Sequence, residues 1–173
     1  MEQKIEKIEK VERVEKKRKE MSWAERIEFM LTSVRAKEKR AQMSDMISDS
    51  LRFVSADNEK QEYTVEFKLE KWMENPRNEL HGGVCCTFFD TTTGVASLAI
   101  AENRTVATVD LCTNFIARMP GSETLVIKTQ VVKGGRRFIR LAAEAYSKES
   151  GKLIATCMSN YTVLDEPHPV GHY

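Results

Sequence analysis

His81-Gly-Gly-Val-Cys-Cys-Thr-Phe-Phe-Asp90-Thr-Thr-Thr-Gly-Val-Ala-Ser-Leu-Ala-Ile-Ala101 is the stretch that decides the fold. From Gly83 to Ala101 it carries one charged side chain, Asp90. The run is long enough for a helix of about five turns. It is apolar or small nearly all round, as in a helix buried inside a protein. A carboxylate in such a place must be neutralised, hydrogen-bonded or put to use. Gly82 and Gly83 leave backbone N–H groups unobstructed at a helix N-terminus, where partial positive charge collects. An acid near such donors suits hydrolysis: one group activates water while the other polarises a carbonyl.

Strands flank this helix in the sequence. Leu51 to Ser55 reads as a strand, followed by a polar turn. Tyr63, Val65, Phe67 and Leu69 then alternate with Thr64, Glu66, Lys68 and Glu70, the pattern of a strand with one wet face. After the helix come Thr105 to Phe115, Thr124 to Lys133, Phe138 to Lys148 and Leu153 to Leu164. Gly134-Gly135 predicts a hairpin between the second and third of these runs. Short turns between consecutive strands imply antiparallel pairing. The expected class is α+β: a curved antiparallel sheet of about six strands wrapped round one long apolar helix.

The bulk numbers agree. The 173 residues, 41% of them hydrophobic, suit one domain with an appendage. Residues 1–43 read as a helical N-terminal extension, 44–165 as the domain and 166–173 as a polar tail. In the extension, Ile5, Ile8, Val11 and Val14 recur every third position and drift round a helix, which favours a solvated helix or tail over a coiled-coil seam. Ser22-Trp-Ala-Glu25 has capping-box spacing. It opens a helix whose stripe is Trp23, Ile27, Met30, Leu31 and Val34, expected to pack on the domain or on a neighbouring subunit. A short third helix is expected over Ser44 to Ser48.

A net charge of +1 gives no reason to expect nucleic acid or an acidic membrane surface. Cys85, Cys86, Cys112 and Cys157 show no metal-ligand spacing, so no metal or other cofactor is expected. The Lys/Glu-rich N-terminus has no signal-peptide core. The apolar run contains Asp90, four threonines and a serine, too polar for a membrane span. A reduced, cytoplasmic protein with no membrane contact is the expectation.

Asn75-Pro-Arg-Asn-Glu-Leu-His81-Gly82-Gly83 ahead of the helix, with Asp90 inside it, resembles the hotdog-fold acyl-CoA thioesterases of the phenylacetate-degradation (PaaI-like) type. Thr105 to Phe115 and Gly134-Gly-Arg-Arg137 are similar to that family too. The resemblance covers roughly residues 45–165. It implies that Asp90 activates water or attacks the thioester, that the Gly82 N–H grips the thioester oxygen, and that Asn75 holds the water or the thioester. It also implies that His81 shapes the pocket and that Thr108 helps to hold the water. Gly83 is expected against the substrate, Phe89 in the core or in the wall of the acyl pocket, and Arg136 and Arg137 either on coenzyme A phosphates or as an ordinary charged hairpin rim. The family shares its pockets between subunits, so a homodimer is implied, with a dimer of dimers common. One departure stands out: the family has Gly three residues before the His, and this chain has Asn78.

Other readings compete. Asp90 could be a structural carboxylate, His81 a satisfied structural imidazole, Asn75 a turn cap before Pro76, Thr108 a packing residue. Cys85 and Cys86 sit where a helix N-terminus lowers a thiol pKa, yet no third residue orients His81 as their base. At the level of function, the rivals are an acyl-CoA sensor without turnover, an assembly protein with a vestigial pocket, and a hotdog dehydratase pairing a His with a carboxylate.

Overall fold

The computed structural model describes residues 20–33, 43–102 and 104–167. Six strands form one sheet: β1 (Leu51–Asp57), β2 (Glu62–Lys68), β3 (Arg104–Phe115), β4 (Thr124–Gly134), β5 (Phe138–Ser147) and β6 (Leu153–Pro167). Their order is β1-β2-β4-β5-β6-β3, and every pairing is antiparallel. The third strand in sequence therefore sits at the far edge, paired only with β6. Local alternation cannot reveal that crossover, because it fixes faces and not neighbours.

The long helix, here α3 (Gly82–Ala101), packs against the inner face of this sheet. That face is built by alternation: Tyr63, Val65 and Phe67 on β2, Leu125 and Ile127 on β4, Ile139, Leu141, Ala143 and Ala145 on β5, all buried. Phe88 of α3 stacks on Phe67 with ring centroids 4.1 Å apart. Fully burying a side chain of that size stabilises by roughly 1.5–3 kcal/mol. The polar residues of α3 are absorbed locally. Thr87, Thr91, Thr93 and Ser97 each donate a hydroxyl hydrogen bond to the carbonyl four residues back, at 2.7–3.0 Å. By length and composition α3 alone among the described helices could cross a membrane; here a sheet wraps it.

The wrap is not complete, which corrects the reading of a helix buried all round. Gly82, Cys86, Asp90 and Gly94, four residues apart in turn, are only half-buried. With Gly83, Thr87 and Thr91 they leave one stripe of α3 open, beside the unpaired edge of β3.

Two more helices complete the body. In α1 (Trp23–Ser33), Trp23, Ile27 and Met30 are buried, so this part of the N-terminal region belongs to the core. Its capping box forms as expected: Ser22 N donates to Glu25 Oε2 at 2.7 Å, and Glu25 N donates to Ser22 Oγ at 3.3 Å. The Trp23 ring meets Tyr63 edge-on at 6.3 Å. The short α2 (Met43–Ser50) runs directly into β1. The helix read over residues 2–20 lies, but for its last residue, outside the described residues, as do Val34 and residues 168–173; residues 166 and 167, read as tail, instead end β6.

Candidate active site

The segment before α3 is a hydrogen-bonded turn. Asn75 Oδ1 accepts from Arg77 N at 2.8 Å and from Glu79 N at 3.3 Å. Asn78 N donates to Asn75 O at 2.9 Å, and Asn78 takes a left-handed φ of 59°. Asn adopts that conformation more readily than other residues with a Cβ, so Asn78 can stand at a left-handed position of this turn where glycine is usual. Leu80 N then donates to Met119 O and His81 N to Met73 O, both at 2.9 Å. The Asn75 side-chain carbonyl is thus committed to the turn.

His81 caps α3 with extended backbone, φ −69° and ψ 129°. Its Nδ1 accepts the Gly83 N–H at 3.0 Å. That nitrogen carries no proton, and Gly83 has no donor left for a ligand. The Gly82 N–H has no hydrogen-bond partner among the described residues. It sits at the positive end of the helix dipole. The Phe115 ring lies over it, 3.2 Å from where a Cβ on Gly82 would stand. Gly82 opens into a cleft of about 340 Å³ lined by Asn75, Leu80, Phe115, Met119 and Ile154, with Arg77 and Arg118 also bordering it.

Asp90 lies elsewhere on the open stripe, eight residues along α3, or about 12 Å up the helix axis. Its Oδ1 accepts from Thr108 Oγ1 at 2.9 Å. The Tyr161 hydroxyl also stands 2.9 Å from Oδ1, 3.0 Å from the Asp90 carbonyl and 2.9 Å from Thr93 Oγ1. Tyr161 has one proton to share among them, and a carboxylate is the strongest acceptor present. Burial, and the Asp90 charge beside it, hold the Tyr161 pKa well above its ordinary value, so the phenol stays a donor. Both donors converge on Oδ1. Oδ2 has no donor among the described residues. Tyr161 was missed in the sequence; its only signal is a large polar side chain at an inward position of β6.

The structure therefore brings Asn75, His81, Gly82 and Gly83 together at one end of α3, and Asp90 with Thr108 in its middle. It does not bring the two groups together within one chain. Arg136 and Arg137 are exposed beside the β4–β5 hairpin. Gly134 of that hairpin faces Ile100, some 27 Å along the helix from Gly82. Phe89 is fully buried and belongs to the core of the chain, not to the wall of the cleft. The thiol reading of Cys85 fails: burial pushes its pKa up to about 12, and that of Cys157 up to about 11. Cys86 Sγ lies 3.7 Å from Thr113 Oγ1, a contact that provides no base. Among the described residues no cluster of His, Cys, Asp or Glu could hold a metal ion.

Residues 78–154 match the Thioesterase superfamily profile. Acyl-coenzyme A thioesterase 13 of Mus musculus is 27% identical over 111 residues, covering 64% of this chain and 78% of its own. The PaaI protein of the E. coli phenylacetic acid degradation operon superposes with a TM-score of 0.68, covering 85% of this chain and 99% of that one. At 14% identity that likeness is one of fold. A Streptococcus mutans protein solved with acetyl CoA superposes at 0.61 over 77% of this chain and 97% of its own, at 16% identity. The fold of this chain is the hotdog fold of these proteins.

Proposed function

We propose that this thioesterase hydrolyses acyl-CoA at sites shared between two copies of the chain, with Gly82 of one copy facing Asp90 of the other. One observation carries the reading. An oxyanion donor and a carboxylate share the open stripe of a single helix, about 12 Å apart. A reacting carbonyl must stand within hydrogen-bond reach of the donor and of the base or its water, so one chain holds two half-sites and no complete one. A two-fold axis across α3 at Cys86, midway between positions 82 and 90, completes both at once. The uncovered surface supports this pairing. Val109, Phe115 and Ile116 are 55%, 59% and 56% exposed on and beside the unpaired edge of β3, an apolar edge that proteins ordinarily cover.

In the shared site the thioester oxygen accepts the Gly82 N–H, which stabilises the oxyanion as it forms. Thr108 and Tyr161 fix Asp90 through Oδ1 and leave Oδ2 to act. As base, Oδ2 takes a proton from water while the water oxygen bonds to the carbonyl carbon. The C–S bond then breaks, and the CoA thiolate recovers the proton. As nucleophile, Oδ2 itself bonds to the carbon, the C–S bond breaks to release the CoA thiolate, and water then cleaves the resulting anhydride and supplies the thiolate's proton. In heavy-oxygen water a single turnover that labels Asp90 identifies the nucleophilic route with water attacking the Asp90 carbonyl, because a base leaves the label only in the acid product. His81 Nδ1 accepts the Gly83 N–H, which leaves a dehydratase only the Nε2 side of that imidazole.

The relatives support the substrate class: one is an acyl-coenzyme A thioesterase, and another binds acetyl CoA. The test is a panel of acyl-CoAs with free-thiol detection, run with the parent and with Asp90→Asn. We expect turnover by the parent and a loss of about 10²- to 10⁴-fold in kcat for the variant. Equal rates would remove Asp90 from the chemistry. Binding without turnover by the parent would make the chain an acyl-CoA sensor.

A further inference from the structure

Gly94 is a glycine that the folded chain itself does not need. It lies inside α3, where glycine destabilises a helix relative to alanine. Its backbone is not left-handed: among the described glycines only Gly151 has a positive φ. Nor is space short. Outside its own helix, a Cβ on Gly94 would meet only Tyr161, at 3.6 Å from the hydroxyl and 3.9 Å from Cε1, both ordinary van der Waals contacts. The bare position therefore serves something outside the chain.

Gly94 stands one turn beyond Asp90 on the open stripe, about 6 Å along the axis. The stripe closes one turn later, where Ser97, Leu98 and Ala101 are buried. With a two-fold axis at Cys86, α3 of the second copy starts at its Gly82, level with Asp90, and stops short of Gly94. A crossing helix does not fill the space. A thioester held between Gly82 and Asp90 has two arms, and two spaces adjoin the reacting carbon. The Gly82 cleft is bordered by Arg77, Glu79 and Arg118. The notch at Gly94 has the Tyr161 ring as its floor and Leu98 one turn on as its end. An alkyl chain gains by leaving water on the less polar side.

Resting on the acyl-CoA reading proposed above, we infer that Gly94 is a specificity residue: the notch left by its missing side chain takes an unbranched acyl chain, and Leu98 sets where that chain ends. Asp90 to Leu98 spans about 12 Å along the helix. An extended chain advances about 1.2 Å per bond, the span of a residue shared among its three backbone bonds. Allowing for the bulk of Leu98 itself, the notch takes roughly eight carbons, and a longer chain runs into that side chain.

The test uses the full chain and a ladder of unbranched acyl-CoAs from acetyl to dodecanoyl, with free-thiol detection. The proteins are the parent, Gly94→Ala, Gly94→Leu and Leu98→Ala. Alanine and leucine are both good helix formers, and Gly94→Ala should raise the melting temperature. We expect the parent's kcat/KM to be highest near octanoyl-CoA. The octanoyl-to-acetyl ratio of kcat/KM should fall about fourfold in Gly94→Ala, the worth of one excluded methylene, and more than tenfold in Gly94→Leu. Leu98→Ala should move the optimum to longer chains. An unchanged ratio in Gly94→Leu overturns the assignment, as does a loss equal at every chain length, which a disturbed pairing of copies would give. Calorimetry of acetyl- and octanoyl-CoA on Asp90→Asn, with and without Gly94→Leu, makes the same comparison without turnover. If the parent cleaves no thioester while Gly94→Leu abolishes the preference for octanoyl-CoA in binding, the notch stands and the catalytic reading falls. A binding preference that Gly94→Leu leaves intact overturns the notch whatever the rates.

Discussion

The first turn of α3 and its middle offer a substrate opposite things. The first turn presents a bare N–H at the positive end of a helix, with Phe115 over it and a cleft beside it. The middle presents a carboxylate oxygen, held by two hydroxyls through its sister oxygen. One region donates and the other accepts. Each is well ordered, and the straight helix that orders both also keeps them about 12 Å apart. The rigidity that preorganises each half keeps the two halves apart in the single chain, which is why the proposed reaction needs a second copy.

The comparison breaks most sharply at Gly82. Proline is tolerated at the first helical position and lacks only the N–H. His81 already has the extended ψ of 129° that a residue before proline needs. The new ring meets Phe115, an exposed side chain that can turn away. We expect Gly82→Pro to fold and to lose on the order of 10²- to 10³-fold in kcat. Circular dichroism checks the fold and thiol release the rate. Activity near the parent's would mean that another group holds the oxyanion.

Mixing the two broken halves gives the next largest effect. Gly82→Pro and Asp90→Asn each spoil both sites of a homodimer. A mixed dimer has one site with both defects and one with neither. After the two inactive proteins are unfolded and refolded together, random pairing returns about a quarter of the parental rate. No recovery, with mixed dimers present by mass, would place both residues in a site within one chain.

This division explains what could be read in advance. The helix, the six strands and the hairpin at Gly134-Gly135 follow from periodicity and turn residues, because alternation is written locally. Asn78 was visible as a substitution for Gly, and its left-handed φ is the reason it works. Hidden were the facts that depend on which strands become neighbours. The β3–β6 pairing puts Thr108 opposite Tyr161, and only then do both hydroxyls converge on Asp90. Arg77 and Arg118, 41 positions apart, share Glu79 only because two loops bond side by side. Phe89 takes the core place of its two readings, and Asn75 spends its side-chain carbonyl on the turn before Pro76 while still lining the cleft.

A smaller effect sharpens the accepting half. Tyr161→Phe removes one of the two donors on Asp90 Oδ1 and leaves Thr108. We expect kcat to fall about tenfold, the value of one charge-assisted hydrogen bond, with KM nearly unchanged. A merely structural Tyr161 would instead lower the melting temperature and spare kcat in the protein that remains folded. Steady-state kinetics beside thermal unfolding separates the two.

The smallest expected effect on rate comes from a control remote from both halves. Glu66 points away from the α3 side of β2, between Arg52 and Lys148 Nζ, the latter at 2.9 Å. Burial works to raise its pKa, but the hydrogen bonds and charges of Lys148 and Arg52 outweigh it, and the carboxyl ends below its ordinary value. A lowered carboxylate pKa stabilises the fold above the ordinary range, and that contribution is lost as pH falls through the lowered value. Arg52 and Lys148 are themselves 60% and 50% exposed, so solvent screening limits the effect to about 1 kcal/mol. Glu66→Gln should lower the melting temperature by about 2–4 °C at neutral pH, by progressively less as acid protonates the parent, and should leave kcat and KM alone. Should this variant lose activity in step with stability, the losses at Gly82 and Tyr161 would reflect a loosened fold, and the contrast between donor and acceptor would need the mixed dimer alone to carry it.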